Sequence, residues 1–300
     1  MTPHAPLAQP GPLARWVLAA RVRTLPAAIV PVVVGASCVR PAQINIVTTA
    51  LCAVVSLSLQ IGTNLANDYS DGVRGTDEQR VGPFRLTASR LVAASTVRNA
   101  AFGVFAVAAV AGLALAVLTA WWLVIVGASA IAAGWYYTGG PRPYGYYGFG
   151  ELFVFAYFGI AATVGTAFVQ HEHVPTKAWW LGAALGAAAC ALLEANNLRD
   201  IDGDREAGKR TLAARLGRRG GAVLYGVFAA IAALAGAWGA GGYTWWTLAL
   251  LAVIDAIYHS PVQLAFSDKT GRDLIPLLVQ SARAQLLLGV TLTVGVWTIH

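Results

Sequence analysis

The chain has 300 residues, of which 57% are hydrophobic and only 12% charged, about half the charged share of a soluble domain. That composition excludes a water-covered globular surface and identifies an integral membrane protein. The net charge of +7, from 21 basic against 14 acidic residues, follows from membrane topology, as their placement below shows, and excludes nucleic acid as a partner.

Residues 1–14 are Pro-rich and carry His4, with no charged region leading into an apolar core. They are therefore read as a disordered cytoplasmic tail and not as a cleavable signal. Residues 15–300 are expected to form a single transmembrane domain. Apolar runs rich in Gly, Ala, Leu and Val occur at 24–40, 44–65, 97–118, 121–138, 151–169, 178–197, 219–239, 243–259 and 282–299. A helix needs ~20 such residues to cross a ~30 Å hydrocarbon core. The alternating ten-residue segments of a membrane barrel are absent. The expected fold class is all-α, with about nine transmembrane helices.

With those runs numbered in order, all basic residues but Arg40 and Lys177 fall in the N-terminal segment, in the 2–3, 4–5, 6–7 and 8–9 connections, or within the first two residues of the run that follows one. Basic loops stay in the cytoplasm, which places the N-terminus inside and the C-terminus outside. Trp121, Trp122, Trp179, Trp180, Trp238, Trp245, Trp246 and Trp297 collect at the opposite ends, as an interfacial belt does. Cys38, Cys52 and Cys190 lie inside apolar runs without metal-ligand spacing and read as packing residues. His171, Glu172 and His173 read as a solvated outer turn.

The acids are distributed differently. Asp68, Asp71, Asp77 and Glu78 follow the second run, and Asp200, Asp202, Asp204 and Glu206 follow the sixth, so two short windows hold more than half of the 14. If the helices continue past their apolar runs, Asn64, Asn67, Asp68 and Asp71 share a face at i, i+3, i+4, i+7. Asn197, Asp200 and Asp204 repeat this at i, i+3, i+7. Gathered carboxylates repel unless a cation sits between them. Hard oxygen donors without nearby Cys or His favour Mg²⁺, which completes its shell with water and phosphate oxygens. Arg74, Arg80, Arg85, Arg199, Arg205, Lys209 and Arg210 interleave with the acids and suit those phosphate oxygens. The substrate this points to is a diphosphate ester. Ordinary cytoplasmic loops explain the arginines, but not the paired asparagines or the clustered acids.

Between the two windows, G-W-Y-Y-T-G-G-P-R-P-Y-G-Y-Y-G-F-G-E (134–151) packs Trp135, Tyr136, Tyr137, Tyr144, Tyr146 and Tyr147 around Arg142 and Glu151. Aromatic faces stabilise cations in dry pockets, although any single tyrosine could equally be an interfacial anchor.

Four motifs stand in order: W-V-L-A-A-R-V-R-T-L-P (16–26), N-D-Y-S-D-G-V-R-G-T-D with R-V-G-P-F-R-L (67–77, 80–86), the tyrosine-rich segment, and N-N-L-R-D-I-D-G-D-R-E-A-G-K-R-T-L (196–212). Together they resemble the UbiA superfamily of intramembrane prenyltransferases, and most nearly its branch acting on 1,4-dihydroxy-2-naphthoate in menaquinone biosynthesis. The resemblance implies helices around a central cavity in the plasma (cell inner) membrane, with the active site on the cytoplasmic side. It implies transfer of a prenyl group from a polyprenyl diphosphate to dihydroxynaphthoate, with loss of CO2 and diphosphate, giving demethylmenaquinone. Asn67, Asp68, Asp71, Asp200 and Asp204 would then hold Mg²⁺ and the diphosphate, with Asn64 and Asn197 in support and Asp77 as a further ligand. Lys209, Arg210 and Arg142 would take phosphate oxygens, and Arg23 either phosphate or the acceptor carboxylate. Tyr136 and Tyr137 would face the allylic cation or the acceptor ring. Membrane lipid is the expected surrounding, and no obligate protein partner is implied.

The chain departs from that pattern at Val22, where proline is expected, and at Arg90, where glycine is. Glu194 and Asp255 are ionisable within apolar runs, which raises a functional question for each. Asp255 could instead pair with His259 one turn on. Competing readings are the same chemistry on another acceptor such as 4-hydroxybenzoate, and a cation-coupled transporter. The transporter would place its acids near mid-span. A CDP-alcohol phosphotransferase would need its acids in one compact run, which this chain lacks.

Overall fold

The computed structural model describes residues 11–76, 85–242 and 245–299, and the side chains of Arg23, His171 and Ile299 lie outside the described set. Among the described residues every regular element is a helix. They run α1 (Pro12–Ala19), α2 (Pro26–Ala36), α3 (Ile46–Arg74), α4 (Ala94–Leu118), α5 (Leu123–Tyr136), α6 (Gly150–Val154), α7 (Ala162–His171), α8 (Thr176–Glu206), α9 (Leu212–Gly241), α10 (Trp246–Ala265) and α11 (Ile275–Ile299). A π-turn at Phe155–Ala161 joins α6 and α7 into one span. Each of the nine expected runs falls on one such helix. Seven are long and apolar enough to cross a membrane. The other two, α2 and α5, have 11 and 14 residues and at 1.5 Å per residue reach only ~17 and ~21 Å.

The two acid-bearing helices run well past their apolar stretches. α3 has 29 residues and α8 has 31. Asn45 caps the start of α3 by accepting from the amides of Val47 and Thr48. Its C-terminal end stays helical to Arg74 and closes on Gly75 in the left-handed region, φ 75°. The helical face invoked for the carboxylates therefore exists.

Burial follows side-chain size. α8 is lined with Ala and Gly, and 78% of its apolar window is buried, against 33% for α3. Small side chains let helices approach closely where lipid removes the hydrophobic drive for association. The π-turn exploits this: a Cβ on Gly159 would lie 2.3 Å from the Gly186 Cα. Around that contact, Val34, Leu181, Leu185, Ile254, Leu288 and Leu292 form the main core. α8 is thus fixed in the middle of the bundle, and its C-terminal tip has a defined position opposite α3. Arg90, standing where glycine was expected, adopts φ 58°, a conformation that glycine tolerates and other residues rarely take.

Gly159→Val forces a side chain into the α8 backbone. It is expected to cost at least the ~1–3 kcal/mol typical of overpacking, read as a lower melting temperature of the detergent-purified protein. An unchanged melting temperature would contradict this packing.

Candidate active site

The C-terminal ends of α3 and α8 face one cavity of about 720 Å³. Its polar end is formed by Asn64, Asn67 and Asp71 from α3, by Asn196, Asn197, Arg199 and Asp204 from α8, and by Lys209 and Thr211 just beyond α8. From there it runs along Phe158, Val126, Leu123, Val32, Cys52, Leu115 and Val169, an apolar wall away from the carboxylates.

Asp71 is the centre of the polar end and is 1% exposed. Its Oδ2 lies 2.8 Å from Lys209 Nζ and 3.9 Å from an Arg85 nitrogen, while Tyr146 donates its hydroxyl to Oδ1 at 2.8 Å. Lys209 also sits 4.7 Å from the centre of the Tyr146 ring, and its backbone amide donates to the Asp204 carbonyl at 2.7 Å. One lysine therefore ties the α3 carboxylate to the end of α8. Burial, and then the Asp71 charge, push the Tyr146 hydroxyl above its ordinary pKa, so it remains a proton donor. Asp204 accepts from Thr211 Oγ1 at 3.5 Å.

The remaining side chains hold this arrangement. Asn67 Oδ1 accepts from Thr138 Oγ1 at 2.7 Å, and Asn64 donates to the Ala20 carbonyl and to Thr24 Oγ1. Arg74 donates to the carbonyls of Thr138 and Gly140, joining the end of α3 to the turn after α5. Tyr144 donates to the Ala133 carbonyl and stacks on Phe153 at 4.0 Å between ring centres. Burial, with Tyr137 and Tyr157 beside it, raises the Tyr144 hydroxyl well above its ordinary range. Tyr137, Tyr144 and Tyr157 together make an aromatic flank of the cavity.

Asn64, Asn67, Asp71, Asn197, Asp204, Lys209 and Tyr137 share the cavity as expected from the sequence. Others do not. Asp68 accepts the backbone amides of Leu86 and Thr87, at 2.8 and 2.9 Å, one on each oxygen. With both oxygens engaged there, it secures the returning chain. Asp200 makes a two-point pair with Arg199, at 2.7 Å for both contacts, and it is Arg199 that lines the cavity. Tyr136 is 52% exposed and off the cavity. Arg142 is exposed, and Arg210 lies in a separate 390 Å³ pocket with Arg74, Tyr146 and Tyr147. Asp77 and the side chain of Arg23 lie outside the described residues. Sequence reasoning did not single out Tyr146 or Thr138; their only signal was membership of the tyrosine-rich segment. Asp255 and His259 lie on the exposed face of α10, where His259 contacts Gln263 and not Asp255.

The donor set is made of oxygens: carboxylates of Asp71 and Asp204 and amides of Asn64, Asn67 and Asn197. Among the described residues no three Asp, Glu, His or Cys side chains converge as a complete metal cage. A hard divalent cation that takes part of its shell from water and phosphate fits such a site.

The sequence pattern of the UbiA prenyltransferase family matches residues 28–296. The 1,4-dihydroxy-2-naphthoate octaprenyltransferase of Mycobacterium tuberculosis is 46% identical over 91% of this chain and 94% of its own. The protein of the same name from Haemophilus influenzae is 30% identical over 94% and 96%. A UbiA homolog from Archaeoglobus fulgidus, solved with GPP and Mg²⁺, superposes with a TM-score of 0.70 at 12% identity, covering 94% of this chain and 99% of that one. That last likeness establishes the fold.

Asp68→Ala removes the acceptor of two backbone amides and is expected to destabilise the protein by about 1–3 kcal/mol, measured by thermal unfolding in detergent. Unaltered stability with complete loss of turnover would instead make Asp68 a ligand.

Proposed function

The chain belongs to the UbiA prenyltransferase family, and from that premise we propose that it transfers a polyprenyl group from polyprenyl diphosphate to 1,4-dihydroxy-2-naphthoate. The observation that carries the reading is the shared cavity, with Asp71 and Asp204 at its polar end, basic side chains beside them and an apolar channel behind. The names of the M. tuberculosis and H. influenzae relatives support the acceptor.

Asp71 and Asp204, with Asn67, Asn64 and Asn197 alongside, would hold Mg²⁺. When bound, the ion neutralises the diphosphate and so improves it as a leaving group. Lys209, Arg85 and Arg199 supply charge-assisted hydrogen bonds to the phosphate oxygens. The isoprenoid tail lies along the apolar wall from Phe158 to Val169. Breaking the allylic C–O bond sends the electron pair to diphosphate, and the resulting carbocation needs surroundings free of water. The faces of Tyr137, Tyr144 and Tyr157 provide them and favour the positive charge. The electron-rich ring carbon bearing the carboxylate then bonds to the allylic carbon. The carboxylate leaves as CO2, its bonding pair restores the aromatic ring, and the product is the reduced form of demethylmenaquinone.

Basic connections support an N-terminus inside and a C-terminus outside, with α2 and α5 completing nine membrane helices and the site opening to the cytoplasm of the plasma membrane. Residues 15–300 would act as one catalytic domain.

Membranes containing the protein are expected to join labelled polyprenyl diphosphate to dihydroxynaphthoate with release of CO2. Labelling of 4-hydroxybenzoate alone would overturn the acceptor. Asp71→Asn and Asp204→Asn should each lower turnover by about 100-fold or more, and chelation followed by Mg²⁺ should abolish and restore it. Near-normal rates in both variants would remove the metal assignment.

A further inference from the structure

Glu194 plays no part in the chemistry above, yet it is 0% exposed in the middle of α8. Neither of its oxygens meets a hydrogen-bond donor. The groups acting on it are the Glu151 carboxyl and the Asn197 amide. α9 passes so close that a Cβ on Gly221 would lie 2.8 Å from Glu194 Oε1. Glu151, buried in the first turn of α6, accepts from Asn197 Nδ2 at 2.9 Å. Its backbone carbonyl accepts from Cys190 Sγ at 3.1 Å, tying the start of α6 to α8. Of these groups, Asn197 lines the large cavity.

This contact decides which way the amide points. With its NH2 given to a buried carboxylate, Asn197 cannot flip without setting two acceptor oxygens against each other. The carbonyl oxygen is then the atom left for the cavity. Glu194 stands beside this pair on α8, hemmed in by Gly221 of α9.

We infer that Glu151 is a positioning residue that locks the Asn197 amide so that its carbonyl oxygen serves the diphosphate end of the cavity. The inference rests on the reading above for what that end binds.

The test uses full-length protein in detergent, with inorganic pyrophosphate and Mg²⁺ as the probe, read by titration calorimetry beside melting temperature. Glu151→Leu is expected to weaken pyrophosphate binding about 10- to 100-fold, the range for losing a group that orients a ligand. Glu151→Gln still offers Asn197 an acceptor and should bind like the wild type. Asn197→Asp sets a carboxylate against Glu151 and should lose binding. Adding Glu151→Gln to it supplies a donor and should restore binding, which space-filling alone would not do. Wild-type binding by a folded Glu151→Leu variant overturns the inference, as does a double variant no better than Asn197→Asp. If Glu151→Leu does not fold, the double variant decides. Should the wild type prenylate only a different acceptor, the proposed reaction falls while the pyrophosphate series still stands.

Discussion

The arrangement of this protein turns on one ion pair. Asp71 and Lys209 meet at 2.8 Å with both side chains buried, far apart in sequence, one on α3 and the other in the turn just beyond α8. Two charges hidden from water are tolerable only when paired and hydrogen-bonded, and Tyr146 and Arg85 complete that requirement around Asp71. The pair also brings the end of α8 against the end of α3, so both acidic windows open into one space. Breaking it would remove the nearest charge partner of Asp71 and the tie it makes between the two helix ends.

A bundle of long apolar helices gives that pair its setting. α8 reaches the centre because its side chains are small enough for backbone contact with the π-turn at Gly159. Its polar tip is then presented at one end of a channel whose other walls are aliphatic and aromatic. A cavity charged at one end and oily along its length matches a molecule built the same way, and the family to which the chain belongs handles such molecules. The aromatic flank is fixed by stacking and by a hydrogen bond to the Ala133 carbonyl, so the rings are held in place before any ligand arrives.

Much of this was legible in the sequence, and the failures are informative. Hydropathy located the seven helices long enough to cross a membrane among the described residues because apolar runs and turns alternate clearly, but it overestimated α2 and α5, whose runs include turn residues at their ends. Helical spacing put Asn64, Asn67 and Asp71 on one face. It could not fix the width of that face, so Asp68 was grouped with them although both its oxygens cap the chain at Leu86 and Thr87. Tyr136 and Tyr137 are neighbours on a helix end, and only packing reveals that Tyr137 turns inward. Tyr146 reaches Asp71 through a loop bent at Gly140 and Gly148, both in the left-handed region. The direction of such a loop is set by tertiary contacts that no periodicity records.

Determining the structure with Mg²⁺ and a non-hydrolysable polyprenyl diphosphate bound is the most direct measurement of how the two helix tips work together. Diphosphate density between Asp71 and Asp204, with the tail running toward Val169, is the expected result. Density outside the cavity, or contacted by one tip with the other turned away, would contradict it.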